Sequence, residues 1–200
     1  VSRYCGDFCF QESFLSFISK LTRRDVLRGG LLLGASLACP WPSYGYGGRD
    51  LTGERCLSLR NVHTDEQLLN TPYWIDGEYQ AETLVELNHL LRDHRNGEVK
   101  PMDPKLFDLL YQTQTKLGAC ADFHVISGYR SPETNDKLRK QSSGVAKFSL
   151  HTAGQAIDIR LPGCELKTLH KTVMSLKRGG VGLYTKSEFV HIDTGRVRYW

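Results

Sequence analysis

His151, Asp158 and His191 are the side chains of this sequence whose types could together hold a cation. Two of them fall in SLHTAGQAIDIRL, residues 149–161, whose second half alternates as a β-strand yet carries a carboxylate in mid-run. The third lies in EFVHIDTG, where Val190 and Ile192 mark one strand face. The period of two then puts His191 and Asp193 on the opposite face. An aspartate entering a core would be an unpaired buried charge, which is costly. The conflict disappears if QAIDIR and FVHIDTG lie in one sheet and the LHTAGQ loop brings His151 back over the same surface. Two neutral imidazoles and one carboxylate suit Zn²⁺, with the fourth tetrahedral position left for water. No H-E-x-x-H helix accompanies them. No G-x-S-x-G elbow or Cys–His pairing supplies a rival nucleophile.

The surrounding elements must supply that sheet. CLSLRNVHT and EQLLNTPYWIDGEY alternate as strands around a turn at Thr64-Asp65, which predicts a hairpin after a flexible lead-in over 46–54. AETLVELNHLLRDHRNG sets Leu84, Leu87, Leu90 and Leu91 at helical spacing, with Gly97 beyond. DPKLFDLLYQTQTKLG reads as a helix capped by Asp103, with Pro104 in its first turn and Gly118 as its stop. FHVISGYR is a short buried strand, and SPETNDKLRKQ a helix capped by Ser131. CELKTLHKTVMSLKRGG is a helix ending at Gly179-Gly180, and VGLYT with FVHIDTG a closing hairpin. This order predicts one α+β domain over 46–200, with helices packed on a mainly antiparallel sheet.

Residues 1–45 read differently. LTRRDVLRGGLLLGASLA joins Arg23-Arg24 to a short apolar run, then small residues and CPWPS. That is the pattern of an export signal, and the paired arginines match the twin-arginine type. The run is too short to cross a hydrocarbon core of about 30 Å, so no stable membrane span is expected after signal removal. Export implies a periplasmic protein delivered by the twin-arginine machinery, with a cleavage site near Ala38 or Gly45. The net charge is +4, and no basic stripe interleaved with aromatics argues for nucleic acid. Cys5, Cys9 and Cys39 precede or border the expected cleavage sites, leaving Cys56, Cys120 and Cys164, an odd set without a C-x-x-C pair. One disulfide and one free thiol fit an oxidising compartment, the pairing being open.

SGYRSPETN (127–135), HTAGQAID (151–158) and FVHIDTG (189–195) together resemble the metallopeptidase group that includes lysostaphin, the D-Ala-D-Ala carboxypeptidases and sonic hedgehog. The resemblance is closest to the MepK-like murein endopeptidases, and it extends through NVHT, ELNHLLRDHR, DPKLFDLLY, GVAK and HIDTGRVRYW. It implies a zinc-dependent hydrolase of peptide cross-links in peptidoglycan, with His151, Asp158 and His191 as metal ligands. Two carboxylates compete for the general base: Glu188, three residues before His191, and Asp193, two after it on the same strand face. Arg130, at the end of SGYR, matches an arginine over the zinc site of related enzymes, where it would bind a substrate carboxylate or a developing oxyanion. Ser149 and Gln155 flank the ligand loop as possible hydrogen-bond supports. His63 is expected on a hairpin surface, and His89, His94, His124 and His170 as structural residues. The group also contains D-Ala-D-Ala-type carboxypeptidases and non-catalytic zinc modules, so these are the alternative uses of such a site.

Overall fold

Alternation around CLSLRNVHT produces β1 (Glu54–Asn61), paired antiparallel with β2 (Gln67–Ile75) across the expected turn. The computed structural model describes residues 53–118, 122–142 and 144–200; the expected signal and linker over 1–45, and Cys120, lie outside them. β2 ends one element earlier than predicted. Asp76 and Gly77 take positive φ of 48° and 98°, a two-residue reversal that returns the chain as β3 (Glu78–Tyr79). Two consecutive positive-φ residues match the twist of flanking strands, which is why Asp-Gly favours a hairpin there.

Helix α1 (Ala81–Leu90) is also shorter than its leucine spacing suggests, and His94 lies in the turn beyond it. Asp93 causes the break. Its backbone oxygen accepts from Gly97 N at 2.7 Å, and its carboxylate accepts from Arg95 N and Ser131 N at 3.0 and 2.9 Å. A side chain that satisfies two amides competes directly with continued helix. Helix α2 (Pro104–Leu117) matches expectation at both ends: Asp103 accepts from Lys105 N, and Gly118 closes it at φ 61°. Strand β4 (Phe123–Ser127), helix α3 (Pro132–Gln141, capped by Ser131), strand β5 (Ala156–Arg160) and helix α4 (Leu166–Ser175) follow. The chain closes with β6 (Gly180–Tyr184), β7 (Phe189–Asp193) and a short β8 (Arg198–Tyr199) absent from the prediction.

The strands form one sheet in the order β3-β2-β1-β4-β5-β7-β6-β8. It is mostly antiparallel, with β1/β4 and β6/β8 parallel. Four α-helices occur among the described residues, and α2 and α4 pack on each other and on the sheet. Ile157, Ile159, Val190 and Ile192 enter the core with Leu106, Phe107, Leu169 and Val173. Strand alternation turns Asp158 and His191 to the other face. No described helix is long and apolar enough to cross a membrane.

Candidate metal centre

Strands β5 and β7 lie side by side with Asp158 opposite His191, and Gly182 of β6 is the next partner of His191. His151 arrives from a 3-10 turn, Leu150–Ala153, whose cap Ser149 accepts from His151 N and whose exit is Gly154 at φ 71°. A Cβ on Gly154 would lie 2.5 Å from Pro101 O, so this tight return admits only glycine. Three ligand atoms thereby converge. His151 Nε2 is 3.2 Å from both Asp158 Oδ1 and His191 Nδ1, and His191 Nδ1 is 2.8 Å from Asp158 Oδ1. All three residues are buried or nearly so.

The outer ring nitrogens fix which atoms face inward. His151 Nδ1 donates to Gly128 O at 2.7 Å, and His191 Nε2 donates to Asp193 Oδ2 at 3.1 Å. With protons at those positions, His151 Nε2, His191 Nδ1 and Asp158 Oδ1 each turn a lone pair toward one point. Tetrahedral zinc with bonds of about 2.0–2.1 Å separates its ligand atoms by about 3.3 Å, close to the spacings seen here. The donor set therefore fits a small divalent cation.

The charges agree. Burial opposes ionisation of Asp158, but His151, His191 and Arg130 outweigh it and hold the carboxyl far below the usual carboxylate range. Burial pushes His151 below the usual imidazole range, only partly offset by Asp158, which keeps it neutral as a ligand must be. His191 differs: burial opposes its charge, yet the flanking Asp158 and Asp193 carboxylates raise it, so an arriving metal ion must displace a proton from Nδ1.

Asp193 is fully buried and fully engaged. Oδ1 accepts from Gly180 N, Gly195 N and Arg198 Nη1 at 3.0, 2.8 and 3.1 Å. Oδ2 accepts from His191 and from Arg198 Nη2 at 2.7 Å. Glu188, the other carboxylate singled out by spacing, is exposed at the end of the β6–β7 turn at φ 52°. Its neighbours Ser187 and Phe189 line the pocket above the cluster, whereas Glu188 itself does not. Arg130 also lines that pocket; its Nη2 donates to Asp158 Oδ2 and its Nε donates to Ser127 Oγ at 2.8 Å. Ser149 reaches the pocket wall, whereas Gln155 uses its backbone to bridge Leu150 and Thr194. His63 is exposed and stacks on His94 with ring centroids 3.8 Å apart. None of His63, His89, His94, His124 or His170 joins the three-residue cluster. Cys56 is buried in β1 and Cys164 half-buried after β5.

Sequence reasoning missed the aromatic wall. Tyr184, Trp200 and the 87 % exposed Phe148 line the same pocket, which encloses about 310 Å³. Trp200 occupies the space that Gly182 leaves opposite His191: a Cβ there would sit 2.5 Å from its ring. The signal was present in the four-residue loop after Tyr184, since that loop sets Tyr184 opposite Phe189 and so on the His191 face.

An α+β sheet presenting a buried His-Asp-His set at the floor of an open pocket is the architecture of a metallopeptidase-type fold. The family model described as peptidoglycan L,D-endopeptidase MepK matches residues 50–200, and the chain belongs to that family. It is accordingly a peptidase. The peptidoglycan L,D-endopeptidase MepK of Escherichia coli K12 is 44 % identical over 180 residues, covering 89 % of this chain and 96 % of the relative. The probable peptidoglycan L,D-endopeptidase MepK of Haemophilus influenzae is 38 % identical over 187 residues, covering 93 % and 98 %. No solved structure gave a significant match.

Proposed function

We propose that this chain is a zinc-dependent L,D-endopeptidase that hydrolyses peptide cross-links of peptidoglycan outside the cytoplasm. The observation that carries the metal is the convergence of His151 Nε2, Asp158 Oδ1 and His191 Nδ1 at 2.8–3.2 Å from one another, close to the ligand spacing of tetrahedral zinc. The relatives' activity supports the substrate. His151 Nε2, Asp158 Oδ1 and His191 Nδ1 would hold the ion. Bound zinc supplies Lewis acidity, lowering the pKa of water toward neutrality and polarising a carbonyl.

The chain's own groups do the rest. Gly128 O and Asp193 hold the two imidazoles in their ligating tautomers, a role whose loss typically weakens metal binding about 10–100-fold. Arg130 occupies the outer oxygen of Asp158 and leaves the inner one for the ion. Asp193 has both oxygens committed, so Glu188 is the carboxylate left to take a proton from the attacking water. It then returns that proton to the departing amine as the amide C–N bond breaks and the carbonyl carbon gains the water oxygen. Its left-handed backbone, unfavourable for an L-residue by about 1–2 kcal/mol, is strain of the kind that gathers at functional sites.

The test is direct. Purified protein should bind one zinc per chain and release muropeptides from isolated sacculi, and chelation should stop the release until zinc is restored. A metal-replete protein that leaves sacculi intact would sink the reading. Export by the twin-arginine route, with Arg23-Arg24 as its signal, belongs to the same proposal. Replacing both with Lys should leave precursor in the cytoplasm, and normal periplasmic accumulation would count against it.

A further inference from the structure

Arg130 was the sequence's candidate for stabilising the oxyanion, but two of its three guanidinium nitrogens are held by Asp158 and Ser127. Another donor in the pocket is better placed to be free. Tyr184 stands on β6 opposite Phe189 of β7, two residues from the Gly182–His191 pair and on the same face of the sheet. Its ring is stacked on Phe189, centroids 4.6 Å apart and planes 19° from parallel, which fixes the direction of the phenol. Its oxygen accepts from Trp200 Nε1 at 2.9 Å. An indole nitrogen can only donate, so this bond leaves the phenol's own proton uncommitted. The same Trp200 ring lies 5.4 Å from the His191 imidazole, so one indole joins the phenol to a metal ligand.

We infer that Tyr184 is a catalytic hydrogen-bond donor, which gives its O–H bond to the scissile carbonyl oxygen as that oxygen gains negative charge. This rests on the peptidase reading above and deepens it. The phenol keeps its proton throughout: no bond to Tyr184 forms or breaks, and the water's proton travels by Glu188. The Trp200 N–H, by donating to the phenol oxygen, orients the hydroxyl and strengthens it as a donor. A fixed donor aimed at developing charge requires no reorganisation at the moment of reaction, and loss of one such donor typically costs about 10²–10³ in kcat.

Tyr184→Phe keeps the ring stacked on Phe189 and removes only the hydroxyl. Zinc content and thermal midpoint should match the parent, KM for a soluble cross-linked muropeptide should stay within about threefold, and kcat should fall about 10²-fold. A phosphinate analogue of the cross-link, which places a charged oxygen where the oxyanion forms, should bind the zinc-loaded variant more weakly by about the same factor in calorimetry. An active parent matched by Tyr184→Phe in both kcat and phosphinate affinity overturns the inference alone. A variant changed only in KM also overturns it, because the hydroxyl would then bind substrate and transition state equally. A zinc-loaded parent that cleaves no cross-link overturns the substrate reading, and the inference with it.

Discussion

Asp108 and Asp158 are both poorly exposed carboxylates that face an arginine, yet their surroundings differ in kind. Around Asp108 every contact joins a donor to an acceptor. It takes Arg55 Nη1 at 2.9 Å, Tyr73 Oη at 3.0 Å and Tyr79 Oη at 2.7 Å, while Arg55 packs 4.0 Å over Trp74. Burial and the Asp108 charge push both phenols up, Tyr79 to about 12, so they remain donors across the neutral range. Around Asp158 the outer oxygen is satisfied by Arg130, and the inner one faces two imidazole nitrogens. A cluster that is balanced by itself holds a fold together. One that gathers three ligand atoms at a metal's spacing can hold an ion as well.

The largest effect should fall at His151. His151→Ala should lose bound zinc in metal analysis and reduce sacculus digestion to background, because only two ligands would remain. Full occupancy in that variant would show that the three lone pairs do not define the site. Glu188→Gln should retain zinc and lose about 10²–10⁴ in turnover, the usual contribution of a general base. Asp193→Asn separates the two carboxylates. In the positioning role proposed for Asp193, the variant should weaken zinc affinity about 10–100-fold, and excess zinc should recover much of the activity. Should Asp193→Asn keep full zinc affinity and lose turnover instead, the two roles are exchanged.

At the balanced cluster the effect should fall on stability alone. Asp108→Asn leaves Arg55 without its counter-charge, and since both groups keep some solvent the expected cost is about 2–3 kcal/mol, below that of a fully buried pair. Urea unfolding would read it, and turnover per folded molecule should not change. The smallest effect is expected at the stacked pair His63–His94, where neither ring neutralises the other. Burial, then Arg95 and His63, hold His94 down to about 4. Between the ordinary imidazole value near 6.5 and pH 4 the unfolded chain therefore binds the extra proton, so stability should fall as pH drops through that window. His94→Gln should flatten that part of a stability–pH series.

How much was legible in the sequence follows from the range of the forces involved. Local rules read well. Asp103-Pro104 and Gly118 bound α2 as predicted, because capping and left-handed glycine are decided within four residues. The helix through HLLRDHRNG stops short of its leucine spacing because its terminator is Asp93 bonding to Ser131, thirty-eight residues away along the chain. The period-two pattern likewise put His191 and Asp193 on one face and made Asp158 an anomaly that a cation would resolve.

By itself, then, the sequence determined the chemical types at the site and the faces they occupy, since side-chain direction along a strand follows from covalent geometry. Tertiary structure alone decided which atoms converge and which are already used. The pairing of Asp158 with His191 depends on β5 lying next to β7. The commitment of Asp193 to two backbone amides and Arg198 depends on the start of β6 and on the β7–β8 connection, and that of Arg130 to Asp158 on the turn after β4. The approach of Trp200 to His191 depends on Gly182 having no side chain. A hydrogen bond acts over about 3 Å, and no spacing along the chain encodes a distance that short between strands brought together only by folding.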